Sequence, residues 1–134
     1  MTDRRILPRI RWMPIALAAA LTLAACGGSG TPGGVVEAYL QALVDGDETA
    51  AVNLSCDDWE ASARTESSSF EAVEASLQEV ACQEAGASGE GTLVTCRGSI
   101  EAVYDGEAQR LALEGRTYLA VLDDGEWKMC GYPR

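Results

Sequence analysis

Histidine is absent from the 134 residues. The chain therefore lacks the commonest general base, the commonest metal ligand and the usual physiological pH switch. Ser-His-Asp and Cys-His catalysis are excluded outright. Basic residues are scarce too: ten Lys and Arg stand against 21 Asp and Glu, a formal net charge of −11. Such a surface repels phosphate backbones, so nucleic acid is not an expected partner. Long apolar runs are also missing. Met13 to Leu23, broken by Pro14 and Thr22, spans about a dozen residues, whereas a ~30 Å hydrocarbon layer calls for ~20. Among the five cysteines no C-x-x-C pair occurs, which argues against a zinc site.

What is present begins with a three-zone N-terminus. Arg4, Arg5, Arg9 and Arg11 form a basic start, Met13–Leu23 an apolar centre, and Leu23-Ala24-Ala25 a small-residue exit before Cys26. That order is the layout of a secretory signal peptide. The competing reading, an uncleaved membrane helix with an incidental cysteine, fits the short apolar centre poorly. Leu-Ala-Ala-Cys resembles the lipobox of bacterial lipoproteins. The resemblance implies cleavage before Cys26, a diacylglyceryl thioether on its sulfur and a fatty acyl group on the new amino terminus. Acyl chains bury ~0.8 kcal/mol per CH₂, so this covalent lipid would hold the protein at the extracytoplasmic face of a cell membrane. The expected organisation is a signal over residues 1–25, a flexible Gly-rich tether over 26–34 and one domain over 35–134.

With Cys26 assigned to lipid, Cys56, Cys82, Cys96 and Cys130 form an even set in an oxidising compartment, with three possible connectivities. Strand order narrows them. Thr31-Pro32 reads as a helix start, and Val36, Tyr39, Leu40 and Leu43 recur at helical spacing. Asp45-Gly46 stops that helix and Asp47 caps a second, Glu48 to about Cys56. Asp57-Asp58-Trp59 opens a less regular helical stretch to Arg64, and Ser67-Ser68-Ser69 caps a short helix, Phe70–Leu77. The period then changes from 3.6 to 2. Leu77–Glu84 reads as a first strand, turned by Gly86–Gly91. Val94, Cys96, Ile100, Ala102 and Tyr104 alternate with polar residues along a second, and Asp105-Gly106 is a two-residue hairpin signal. Pairing Tyr104 with Glu107 sets Ile100 opposite Leu111, Glu101 opposite Arg110 and Arg97 opposite Glu114. Asp123-Asp124-Gly125 turns Thr117–Leu122 into Trp127–Gly131. The expected fold is α+β: N-terminal helices on a curved four-stranded antiparallel meander. In that meander Cys96 and Cys130 lie about 9.6 Å apart at ~4.8 Å per strand step, beyond the ~7 Å a disulfide spans. Cys82–Cys96 and Cys56–Cys130 are therefore the expected bridges.

The helix pair VVEAYLQALVDGDETAA, the TLVTCRGSI strand and the closing Gly-Glu-Trp-Lys strand, in that order, resemble the nuclear-transport-factor-2-like superfamily over residues 32–132. The resemblance implies a cone of sheet wrapped on helices, often hollow at one end. Catalytic members place Asp, His or Tyr inside the cone. Here the expected inward positions are Val94, Ile100, Leu111, Leu113 and two cysteines, so no catalytic residue carries over and no enzyme is expected. Tyr39 and Tyr104, with Trp59 and Trp127, are the candidate pocket side chains, against a plain packing role for the tryptophans. The acidic turns at Asp45–Glu48 and Asp123–Glu126 lack the spacing of a calcium loop, and no metal or cofactor other than lipid is expected. Three functions follow: a lipid-anchored, non-catalytic interaction domain with an envelope protein as partner; a carrier of a small apolar ligand in the cone interior; and an enzyme using Tyr104 or a buried carboxylate. Labelled palmitate or glycerol should appear on the wild-type protein and vanish in Cys26→Ser. An unlabelled wild-type chain ends the lipid reading.

Overall fold

A helix that opens with proline loses no hydrogen bond by it, because its first N–H groups have no partner within the helix. The computed structural model, which describes residues 30–133, starts its first helix in this way. Thr31 Oγ1 accepts from Gly34 N at 3.0 Å, and α1 runs Pro32–Val44. Gly33 and Gly34, expected as the end of the tether, are instead buried in α1. A Cβ at Gly33 would lie 2.5 Å from the carbonyl oxygen of Cys82, so helix and strand meet backbone to backbone there. Helix α1 thus begins at Pro32, ahead of residue 35. The expected signal over 1–25, Cys26 and residues 27–29 lie outside the described residues.

Gly46, at φ +67°, ends the first helix, and Asp47 Oδ1 accepts from Ala50 N at 2.9 Å to open α2, Glu48–Asn53. This helix stops before Cys56 because its following backbone is taken elsewhere. Met129 N donates to Leu54 O at 2.8 Å, and Cys56 N donates to Met129 O at 2.9 Å. A 3-10 turn at Asp57–Trp59 leads into α3, Glu60–Ser68. The expected helix Phe70–Leu77 does not form. Phe70 to Val73 are turn, and β1, Glu74–Ser88, is already paired from its first residue. Phe70, Val73 and Leu77 satisfy a helical spacing, but Ala75 and Leu77 satisfy a strand alternation equally well. Pairing of Glu74–Gln78 with Ser99–Val103 decides between them.

The sheet continues with β2, Gly91–Tyr104; β3, Glu107–Ala112; β4, Thr117–Asp123; and β5, Glu126–Met129. The hairpin register is Tyr104 with Glu107, Glu101 with Arg110 and Ile100 with Leu111. Arg97 does not face Glu114. The long third strand of the expected meander is broken at Leu113–Arg116, so five strands form where four were expected. Because β1 occupies one edge of β2 throughout, β3 and β4 share the other, the first along Ser99–Tyr104 and the second along Thr92–Thr95. Between those segments, Leu113–Arg116 outnumber Cys96–Gly98 by one residue, which is a bulge. A second register shift lies directly across β2, where β1 slips between Gln78 and Ala81. Both meet at Gly98, which has φ +96°. Bulges bend the strands that carry them, and here two act on one line across the sheet.

The helices pack on this curved sheet, giving the α+β, nuclear-transport-factor-2-like cone arrangement. Val35, Val36, Tyr39, Leu40 and Leu43 of α1 are buried against Val94, Cys96, Ile100, Tyr118, Ala120 and Met129. Each fully buried aliphatic side chain contributes about 1.5–3 kcal/mol. Leu113 is buried as well and Leu111 half-buried. The sheet margins are covered locally: Glu37 Oε1 of α1 accepts from Cys82 N at 2.7 Å on β1, and Leu54–Cys56 line β5. Disulfides join Cys82 to Cys96 across β1 and β2, and Cys56 to Cys130, with Cα separations of 4.1 and 5.3 Å. Among the described residues no helix is long and apolar enough to cross a membrane.

A Cβ at Gly98 would lie 2.6 Å from the carbonyl oxygens of Gln78 and Glu79, in a backbone conformation L-residues avoid. Gly98→Ala should therefore lower unfolding stability by roughly 2–3 kcal/mol. Gly89→Ala, with nothing within 4 Å of its Cβ, should stay within about 0.5 kcal/mol. Chemical denaturation of both variants checks the contrast.

Candidate functional site

Tyr39 lies on the buried face of α1 and is fully inaccessible to solvent, yet its hydroxyl needs a partner. It donates to Glu66 Oε2 of α3 at 2.7 Å and accepts from Trp59 Nε1 at 3.2 Å. The other oxygen of Glu66, Oε1, accepts from the Tyr132 hydroxyl at 3.0 Å. One half-buried carboxylate thus gathers two phenols, and through one of them an indole. Trp59 and Tyr132 meet edge to face with ring centroids 5.4 Å apart, and Tyr132 also packs on Tyr118 of β4 at 5.5 Å.

Local sequence explains why these five side chains converge. Gly131, at φ +91°, lies against the six-membered ring of Trp59, where a Cβ would come within 2.5 Å. Cys56 precedes Trp59 by one turn and Cys130 directly precedes Gly131, so their disulfide ties together the two segments that bring Trp59 and Tyr132 into contact. Glu66 follows Trp59 by seven residues, two helical turns, on the same side as Ser62. Trp59, Ala61, Ser62, Thr65 and Glu66 line an open depression of about 390 Å³. The small side chains at 61 and 62 leave that space.

Of the expected pocket residues, Tyr39 and Trp59 come together. Tyr104 and Trp127 do not join them. Tyr104 stands exposed at the tip of the β2–β3 hairpin, and Trp127 is half-buried on β5 opposite Leu122. An end-of-strand tyrosine and a closing-strand tryptophan look alike in sequence whether they line a pocket or not. Glu66, Tyr118 and Tyr132 were not singled out by sequence. The heptad step from Trp59 to Glu66 was the available signal for the first. Nothing local marks Tyr132, which the disulfide carries to the site.

The interior behind the cluster is filled. Tyr39, Tyr118, Leu113, Met129, Val35, Val36 and Val94 are all less than 2 % exposed. Burial pushes the phenols of Tyr39, Tyr118 and Tyr132 upward, and for Tyr39 and Tyr132 the Glu66 carboxylate adds to it. Arg116 acts in the opposite sense on Tyr118 and Tyr132 without reversing the direction. The Tyr39 and Tyr132 hydroxyls are held as donors to Glu66, and none of the three raised phenols supplies a phenolate base near neutrality. Among the described residues no group of three or more Cys, Asp and Glu is placed to hold a metal ion. The acidic turns have structural work: Asp45 Oδ1 accepts from Gln41 at 2.9 Å, Asp47 caps α2, and Asp124-Gly125, both at positive φ, turn the last hairpin. No catalytic constellation is formed among the described residues. No protein-family model, curated protein or solved structure matches the chain.

The raised phenols have a consequence at high pH. Below the ordinary tyrosine value of about 10, these groups are protonated in both folded and unfolded protein, and their contribution to stability is complete. Above it the unfolded chain ionises first, so stability falls as pH rises. Tyrosinate absorbance from the fully buried Tyr39 and Tyr118 should therefore appear with alkaline unfolding rather than before it. Full tyrosinate absorbance in still-folded protein contradicts the buried network.

Proposed function

We propose that this chain is a lipid-anchored, extracytoplasmic binding domain that takes a small, largely apolar ligand at its aromatic end. The observation that carries the binding reading is the 390 Å³ depression walled by Trp59 and Glu66. Its volume falls within the ~300–1,000 Å³ range of small-molecule sites. Its lining sets the aromatic wall of Trp59 and the methyl of Ala61 beside Ser62, Thr65 and Glu66, polar groups that can orient a ligand. Because the interior behind it is packed with side chains, the ligand rests at the mouth of the cone against Trp59. The site groups are donors and a carboxylate already engaged by two phenols, which suits binding and release more than bond-making. The anchor rests on the lipobox resemblance around Cys26 and on the short apolar segment before it. A tether from Cys26 to Thr31 would leave the domain close to the bilayer, where apolar molecules concentrate.

The neutral probe N-phenyl-1-naphthylamine should gain fluorescence on binding the wild-type chain. Ser62→Trp, which fills the depression from the half-exposed side of α3, should lower its affinity at least about tenfold, a loss of ~1.4 kcal/mol. Equal binding by wild type and Ser62→Trp, or no binding by either, refutes this site.

A further inference from the structure

The Glu66 carboxylate faces the depression with its charge uncompensated. Two phenol donors satisfy one hydrogen bond on each oxygen, at 2.7 and 3.0 Å, but phenols are neutral and leave the negative charge in place. Among the described residues Glu66 makes no ion pair. The cation on its own helix, Arg64, is turned to another face and engaged by Glu48 at 3.8 Å and Glu60 at 3.6 Å. Arg116 sits beside Tyr118 and Tyr132 and makes no ion pair with Glu66. A half-buried carboxylate beside an apolar wall favours a cationic neighbour more strongly than one in open water does.

The aromatic partner points the same way. Trp59 lines the depression together with Glu66, and the indole face is the best aromatic surface for a cation, more so when water is displaced. The ammonium of an ordinary amine prefers hydrogen-bond acceptors around it, whereas a fully alkylated ammonium presents methyl groups and suits an indole and two small side chains, Ala61 and Ser62. The chain's formal charge of −11 adds a surrounding field that concentrates cations and disfavours anions.

We propose that the ligand of this site is an organic cation of the quaternary-ammonium class, its alkylated nitrogen packed on Trp59 and its charge balanced by Glu66. This inference rests on the apolar-ligand reading and narrows it. The cationic head lies over the indole, Ala61 and Ser62 accept its methyl groups, and Tyr39 and Tyr132 hold the carboxylate in place from behind. The two phenols are positioning residues for Glu66.

Calorimetric titration of the full chain with choline and with its uncharged isostere 3,3-dimethylbutan-1-ol separates charge from shape. Choline should bind roughly tenfold more tightly than the alcohol. Raising the salt concentration should erode the choline affinity and leave the alcohol unchanged. Glu66→Gln, which keeps an acceptor for a phenol, should bring the two ligands to within about twofold of each other. Should that variant fail to fold, the salt dependence of the wild type carries the test. Equal affinity for the two ligands, no choline binding, or a choline preference insensitive to salt overturns the cation assignment. The naphthylamine titration decides the parent reading separately, since a neutral probe can bind where choline shows no advantage.

Discussion

The bend of the sheet at Gly98 sets how the strands meet the first helix. At that one residue β1 slips register on one side of β2, and β3 gives way to β4 on the other. Bulges bend the strands that carry them, and on this bent sheet α1 buries both Val35 near its start and Leu43 near its end. Bending brings β4 and β5 up beside the helix, so that Tyr118 and Met129 pack where Tyr39 already lies. The backbone itself enforces the bend. Gly98 O accepts from Leu113 N at 3.0 Å, and Gly98 N donates to Glu114 Oε1 at 3.2 Å, closing the bulge with a side chain in place of a ladder bond. The amides that bind it hold the exposed Glu114 carboxylate below its ordinary value, with Arg110 adding to the effect.

The same bulge marks the boundary of what could be read in the chain. Alternation from Val94 to Tyr104 and the Asp105-Gly106 turn specify the β2–β3 register completely, because a slip of one residue would turn Ile100 and Ala102 to solvent. The pairing of Glu101 with Arg110 follows, and that of Arg97 with Glu114 does not, since the extra residue lies between them. A glycine inside a strand pattern is a bulge signal, yet which partner strand slips depends on contacts distant in sequence on both sides of it. Phe70–Leu77 shows a second limit. Over so short a stretch an apolar spacing of three and four cannot be told from an alternation of two, and only the partner strand settles it. Strand order, by contrast, already restricts which cysteines can meet, because bridges tolerate so narrow a range of separations.

The Cys56–Cys130 bridge links energetics to the site. It closes a loop across 74 residues of sequence, which removes ~4–5 kcal/mol of conformational freedom from the unfolded chain on the entropic account. Its position matters as much as its magnitude. Leu54–Cys56 already pair with Met129 through backbone bonds, so the covalent link reinforces a contact the fold makes anyway and extends it to Trp59 on one side and Tyr132 on the other. Residues that follow an edge strand fray unless they are tied down. Here Gly131 O accepts from Leu119 N at 2.7 Å and Tyr132 reaches Glu66 at 3.0 Å.

The polar network at that end also links the filled interior to the open depression beside Trp59. Tyr39 reaches the boundary from the core and brings a hydroxyl that cannot be left unpaired. Glu66 satisfies it, but a carboxylate in this position must itself be stabilised, and Tyr132 supplies the second donor. The cluster is then complete in hydrogen bonds and incomplete in charge. A lysine or arginine at 61, 62 or 65 would have finished it as a structural ion pair; the sequence has Ala, Ser and Thr there. Those small side chains keep the depression open and leave the balancing charge to come from outside the chain.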